Sequence, residues 1–325
     1  MKDYYIFKSG RVSRKDNSIV LETNDGNIFI PINDIDSLCF FGEIDINTKA
    51  MNFLAQQQVV VHFFNYYGWY TGSFYPREFL LSGDVLVAQV KAYLDMHSRT
   101  YIARQFVQGA IHGFITNIKR YPDVGDAAVN TLQQYINATE EQSNVLSLMG
   151  IEGNAHELYY STFPVIIKQP IEFEKRVKHP PNNMMNALIS FCNSLVYTHV
   201  IKELYKTQLN PTVSYLHEPS NRRFSLSLDV SEIFKPIYAD RVIFDLLNNN
   251  MITQKHFDKD LNYCYLKEDG RKIVVKAFDD KINTTVMHKK LKRNVSYQKM
   301  IRLELYKLIK HLLNEEQYQS LRIWW

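Results

Sequence analysis

The sequence holds little that would staple, anchor or charge a protein by familiar means. Its 325 residues include three cysteines, Cys39, Cys192 and Cys264. They are far apart and form no Cys-x-x-Cys pair, which speaks against a disulfide framework or a cysteine zinc site and fits a reducing cytoplasm. There is no GxxxxGK[ST] phosphate loop and no GxSxG nucleophile elbow. The stretch "AHELYY" opens like His-Glu-x-x-His, but its fifth position is Tyr160, so that zinc motif is absent too. The most apolar stretches, "VVVHFF" and "NALISFCNSLVYTHVI", are short or interrupted by polar groups. A bilayer span needs about 20 mostly apolar residues, so no membrane role is expected. The polar start "MKDYYIFKSG" is not a secretory signal. Internal repeats and low-complexity tracts are absent as well.

What is present is a chain built for a core. Hydrophobic residues make up 46%, ample for one or two domains. A formal net charge of +4 permits a polyanionic partner without requiring one. The 21 tyrosines and 19 phenylalanines supply rings that mostly belong in core and sheet.

Organisation changes along the chain. "YYIF", "SIVLET", "NIFIPI", "DSLCFF" and "VVVHFF" are short and rich in β-branched and aromatic residues, as strands are. Asn24-Asp25-Gly26 predicts a hairpin, and a second turn is expected near Tyr67-Gly68. One helix, "INTKAMNFLAQQ", interrupts the strands. After Pro76 the apolar positions fall three and four apart, and long helical segments follow to the end. The expected fold is α+β: a small β-sandwich-like domain over residues 1–78, then a larger all-helical catalytic domain over residues 79–325.

Chemistry concentrates in "SYLHEPSNRRFSLSLDVSEIF". Phe224, Leu226 and Leu228 alternate with serines and read as extended, with a helix beginning near Asp229. On one reading Asp229 is an N-cap and Glu232 completes an acidic capping-box-like arrangement. On another, Asp229 and Glu232 share a helix face and project toward His217, a partial site for a divalent cation. A further carboxylate is Glu152, set between Gly150 and Gly153 in "LMGIEGNAHELYY". Cys192 lies in an apolar helical stretch and reads as a buried structural thiol.

Three blocks, "GIEGNAHELYY", "PPNNMMNALISFCNSLVY" and "LNPTVSYLHEPSNRRFSLSLDVSEIFKPIYADR", resemble the CRISPR-associated protein one (Cas-one) family in order and spacing. The resemblance spans nearly the whole chain, including the two-part layout. It implies a metal-dependent DNA integrase and endonuclease of CRISPR adaptation, which joins spacer 3′-hydroxyls to the array by transesterification. Glu152, His217 and Glu232 fall on the family's metal positions, with Mg²⁺ or Mn²⁺ as the implied cofactor, and Asp229 falls on a supporting acidic position. The implied partners are spacer-precursor and array DNA, a second copy through the β-rich domain, and CRISPR-associated protein two (Cas-two). The chain departs from the family at Asn193, where many members carry tyrosine, and at Lys235, where arginine is frequent.

Candidate DNA contacts are Arg222 and Arg223, Arg176 and Lys178, Lys235, Arg241, and Lys289, Lys290, Lys292 and Arg293 of "HKKLKR". Each also reads as a solvated surface charge. The rival functions are a structure-selective nuclease without integration and a non-catalytic DNA-binding scaffold.

Overall fold

The computed structural model describes residues 1–178, 180–219, 224–259 and 263–323. Its first part contains strands β1 (Lys2–Ile6), β2 (Gly10–Lys15), β3 (Ser18–Thr23), β4 (Gly26–Pro31), β5 (Ile35–Phe40), β6 (Ile44–Ile46), β7 (Val60–Phe64) and β8 (Tyr70–Phe74), with helix α1 (Thr48–Gln56) between β6 and β7. They form two four-stranded sheets, ordered β1-β5-β7-β8 and β4-β3-β2-β6. In the first sheet β1 and β7 both run parallel to β5, while β8 returns antiparallel to β7. The predicted hairpins are both present. Thr23 pairs with Gly26 across a two-residue turn, and Gly68 has a φ of 80°, which glycine tolerates between β7 and β8.

Side-chain alternation makes the first sheet two-sided. Leu38, Phe40 and Val61 join Val12, Leu21, Phe53 and Leu54 in the core between the sheets. Cys39, Phe41 and Phe64 point the other way, into a core shared with the helices.

The second part begins with α2 (Gly83–Leu94) and α3 (Met96–Ile118), a long apolar stretch split where Asp95 caps the second helix. It continues with α4 (Asp126–Glu140), α5 (Val145–Ser161), α6 (Phe163–Ile166), α7 (Met184–Tyr205), α8 (Ser225–Lys235), α9 (Arg241–Asn248), α10 (Glu268–Asn283) and α11 (Tyr297–Leu312). This part is not purely helical, as the sequence suggested. Two antiparallel ladders are added, β9 (Phe257–Lys259) with β10 (Cys264–Leu266), and β11 (Thr285–His288) with β12 (Arg293–Ser296). They are three and four residues long, too short for alternation to show.

By length and composition, α7 is apolar enough to cross a membrane, contrary to the sequence reading. It is instead a mostly buried core helix, with Leu188, Cys192, Leu195 and Val196 fully enclosed. Its polar flank meets the first sheet in a buried ionic seam, in which Lys202 Nζ lies 2.7 Å from Asp3 and 3.0 Å from Asp36.

Two packing features place the elements that carry the chemistry. Gly109 and Gly113 let α3 press against the segment of α8 and its continuation: a Cβ on Gly113 would lie 2.9 Å from the Pro236 ring. Between α8 and α9 the chain makes one π-helical turn, Pro236–Asp240. Pro236 has no N–H to donate to the preceding helix, so the ladder slips there.

Candidate metal centre

The opening of α8 differs from its sequence reading. The helix starts at Ser225, four residues before Asp229, so Phe224–Leu228 is not an extended segment and Asp229 is not an N-cap. Leu226, Val230 and Ile233 recur at helical spacing and are all buried. Ser225 and Ser227, set between Phe224, Leu226 and Leu228, mimic a period of two over too few residues to distinguish strand from helix.

Asp229 instead sits mid-helix, fully buried, and holds the preceding loop. Its carboxylate accepts backbone N–H groups of Tyr215 (2.7 Å), Leu216 (2.9 Å) and His217 (3.0 Å), and the His217 ring Nδ1 at 2.8 Å. A carboxylate offers only acceptors, so Nδ1 carries a hydrogen, and in the neutral ring Nε2 keeps its lone pair. Burial opposes charge on His217, but the bond to Asp229 and the charges of Asp229, Glu232 and Glu152 outweigh it and raise its pKa. Asp229→Asn keeps one acceptor oxygen and turns an NH₂ toward N–H donors. The expected result is a loss of about 3 kcal/mol and faster amide exchange at residues 215–217, checked by thermal unfolding and hydrogen exchange.

Glu152 lies in the middle of α5. Gly150 and Gly153 on either side leave open space: among the described residues, nothing beyond their own helix backbone and chain neighbours lies within 4 Å of a built Cβ at either. Glu232 faces it from α8. Between them stands His156, one helical turn beyond Glu152. Its Nε2 is 3.1 Å from Glu152 Oε1 and 3.4 Å from Glu232 Oε2. Donor atoms of Glu152, His156 and Glu232 all lie within 4.8 Å of one another, and His217 stands beside this set rather than in it.

His156 belongs to the His-Glu-x-x-Tyr stretch that is not a zinc motif, and it is not among the candidates named from the sequence. The available signal was its spacing: Glu152 and His156 are four apart and must share a helix face. Burial disfavours charge on His156, yet its contacts with Glu152 and Glu232 raise its pKa to about 9. Glu232 is also buried, but Lys235 and His156 hold its carboxyl well below the usual range. Lys235 Nζ donates to Glu232 Oε1. The other oxygen, Oε2, is buried and receives no well-formed hydrogen bond.

An orphaned carboxylate oxygen, a second carboxylate and imidazole nitrogen at these distances fit a divalent ion of the Mg²⁺ or Mn²⁺ kind. Glu232 and His217 also border a cavity of about 790 Å³, which opens between α7, α8 and strand β8 and is lined in part by Trp69, Asn193, Tyr197 and Lys235. Asn193 Oδ1 is buried there with no hydrogen-bond partner.

The basic candidates separate. Lys178 is exposed at the cavity, and Lys235 lines it while paired to Glu232. Arg176 lines it too, but its guanidinium is spent on Asn186 Oδ1 at 3.1 Å and Ser190 Oγ at 2.8 Å, so it pins the chain before α7. Arg241 is 4% exposed and donates to Asn117 Oδ1 at 2.8 Å, which removes it as a DNA contact. Lys289, Lys290, Lys292 and Arg293 are exposed on the β11–β12 hairpin; the first two border a separate cleft with Lys307 and Arg322. Arg222 and Arg223 lie outside the described residues.

A strand-rich sandwich joined to a helical layer that carries a carboxylate–imidazole cluster defines an α+β protein with a candidate ion centre, and the comparisons refine that class. The family model of CRISPR associated protein Cas1 matches residues 4–280, and the chain belongs to that family. It is 51% identical over 326 residues to the CRISPR-associated endonuclease Cas1 3 of Thermodesulfovibrio yellowstonii, with all of both chains covered. The solved structure of a CAS1 protein from Thermotoga maritima superposes with a TM-score of 0.91 at 40% identity, covering 99% of this chain and 100% of that one. A casposase solved bound to its integration product shares the fold alone, at TM-score 0.87 and 18% identity over 99% of this chain and 93% of that chain.

Proposed function

We propose that this chain is a divalent-metal-dependent DNA integrase and endonuclease of CRISPR adaptation. It joins the 3′-hydroxyl of spacer DNA to a phosphodiester of the array, forming one P–O bond as another breaks. The observation that carries the reading is the convergence of Glu152 and Glu232, from separate helices, with His217 held beside them by Asp229. Glu152, Glu232 and His217 would hold the ion, Mg²⁺ or Mn²⁺. When bound, such an ion lowers the pKa of an attacking hydroxyl and polarises the phosphoryl oxygen. Asp229 fixes the His217 tautomer and ring, as a carboxylate behind a ligating histidine does. Lys178 and Lys235 place positive charge where a phosphate backbone enters the cavity. Trp69, Tyr197 and Phe224 give that cavity apolar walls against which a base can rest.

Residues 1–78 form the dimerisation domain in this reading, and residues 79–325 bind metal and DNA. Edge strand β4 exposes Ile28 and Phe29, a natural surface for a second copy. The working assembly adds Cas-two. The test is a strand-transfer assay with this protein, a Cas-two partner and fork-ended duplex DNA. Joined product is expected with Mg²⁺ or Mn²⁺ and none with a chelator. Cleaved strands without joined ones, with and without the partner, would make the chain a structure-selective nuclease instead.

A further inference from the structure

The centre contains an imidazole that the resemblance leaves without a role. We infer that His156 Nε2 is a fourth donor of the ion site, beside Glu152, Glu232 and His217. This deepens the reading above and rests on it.

The geometry begins with α5. Residues 152 and 156 lie one above the other on a helix, so Glu152 and His156 present a carboxylate and a ring to the same point. Glu232 meets that point from α8. An ion with donor bonds of about 2.1 Å sets adjacent donors about 3 Å apart and opposed donors about 4.2 Å apart. The His156 Nε2 contacts at 3.1 Å and 3.4 Å match adjacent donors, and the donor atoms of Glu152, His156 and Glu232 lie within 4.8 Å of one another. The unsatisfied Glu232 Oε2, on a side chain only 7% exposed, is aimed into this set.

The ring is also held in place. Phe114 packs edge-on to it at 4.8 Å between centroids, and Tyr160 lies at 5.5 Å. Its Nδ1 is buried without a hydrogen-bond partner, so Nε2 is the nitrogen turned to the carboxylates. A plain core ion pair would need only one carboxylate. Here one nitrogen faces two carboxylates on different helices, and the Glu232 oxygen it faces, Oε2 at 3.4 Å, makes no well-formed hydrogen bond.

Two carboxylates with one imidazole suit Mg²⁺ and Mn²⁺ alike, whereas a second imidazole shifts preference toward Mn²⁺.

The test reads the ion directly. Mn²⁺ and Mg²⁺ binding is measured by calorimetry, and imidazole nitrogens on bound Mn²⁺ are counted by pulsed electron paramagnetic resonance. Wild type is expected to show two imidazole couplings, and His217→Gln one. His156→Gln is expected to show one coupling, a Mn²⁺ affinity at least tenfold weaker and a reduced Mn²⁺ to Mg²⁺ ratio. The His217→Gln arm reports on His156 without altering it, so the inference stays testable if His156→Gln folds poorly. No remaining coupling in His217→Gln, or unchanged couplings and affinity in His156→Gln, overturns it. Wild type that takes up no Mn²⁺, or Glu152→Gln that binds as wild type does, overturns instead the reading on which it rests.

Discussion

Glu152→Gln is expected to reduce strand transfer by about 10³-fold or more while leaving duplex binding within about threefold of wild type. Glutamine keeps the length and shape of the side chain and loses its charge. Positioning and charge stabilisation at a phosphoryl centre are worth several kcal/mol, and each 1.36 kcal/mol is about a factor of ten in rate. The fold has little stake in this side chain. Glu152 is 19% exposed, a Cβ built on Gly150 or Gly153 would meet nothing from other elements among the described residues, and Glu152 contacts His156 at 3.1 Å. The melting temperature in chelator should therefore shift by no more than about 2 °C. The phosphate contacts proposed for Lys178 and other exposed cations do not involve Glu152, so the affinity for duplex and its salt dependence should persist. The measurements are strand transfer at saturating Mn²⁺, a duplex-binding titration and thermal unfolding. Strand transfer near the wild-type rate in a folded variant would remove Glu152 from the chemistry.

Much of the fold was legible because its signals are local. The hairpin at Asn24-Asp25 and the turn at Gly68 follow from backbone freedom that few residues have, and both were read at the right positions. The long helices followed from apolar spacing. What was lost depends on contacts distant in sequence. Asp229 looked like a cap because a carboxylate ahead of an apolar run usually is one. Only the fold shows three backbone N–H groups and a ring converging on it from a loop a dozen residues away. Arg241 looked like a surface cation because arginine usually is; its partner Asn117 lies 124 residues earlier.

The centre was legible in part and for mixed reasons. Residue types and spacing put Asp229 and Glu232 on one face turned toward His217, with Glu152 as a further carboxylate. The family resemblance made Glu152, His217 and Glu232 one metal set, and the structure brings Glu152 and Glu232 together around a residue that neither route named. His156 was discarded with a motif it does not complete, although its four-residue offset from Glu152 was in plain view.

Lys202→Ala is expected to destabilise the chain at neutral pH by about 3–5 kcal/mol, the cost of stranding buried charge. Lys202 is 1% exposed and bonds both oxygens of Asp3 on β1 at 2.7 Å, with Asp36 on β5 at 3.0 Å. Lys206 also bonds Asp36, whereas Asp3 has His199 as its other basic neighbour, at 3.8 Å. Burial disfavours ionised Asp3 and Asp36, but the lysines outweigh it and hold both carboxyls below the usual range. Groups with lowered folded pKa values stabilise above the unfolded value and lose that contribution as pH falls through the folded value. Wild type therefore weakens from about pH 4 downward. Without Lys202 the balance at Asp3 reverses: burial wins, its pKa rises, and protonation relieves the penalty. The melting-temperature gap between wild type and Lys202→Ala should then be widest near pH 7 and narrow toward pH 4. The triple variant Asp3→Asn, Asp36→Asn, Lys202→Met removes charge on both sides and should recover most of the loss, since a buried pair often contributes little beyond an apolar replacement. A gap that is flat with pH, or a triple variant no better than the single, would mean that the seam joins the sheet to α7 by packing rather than by charge.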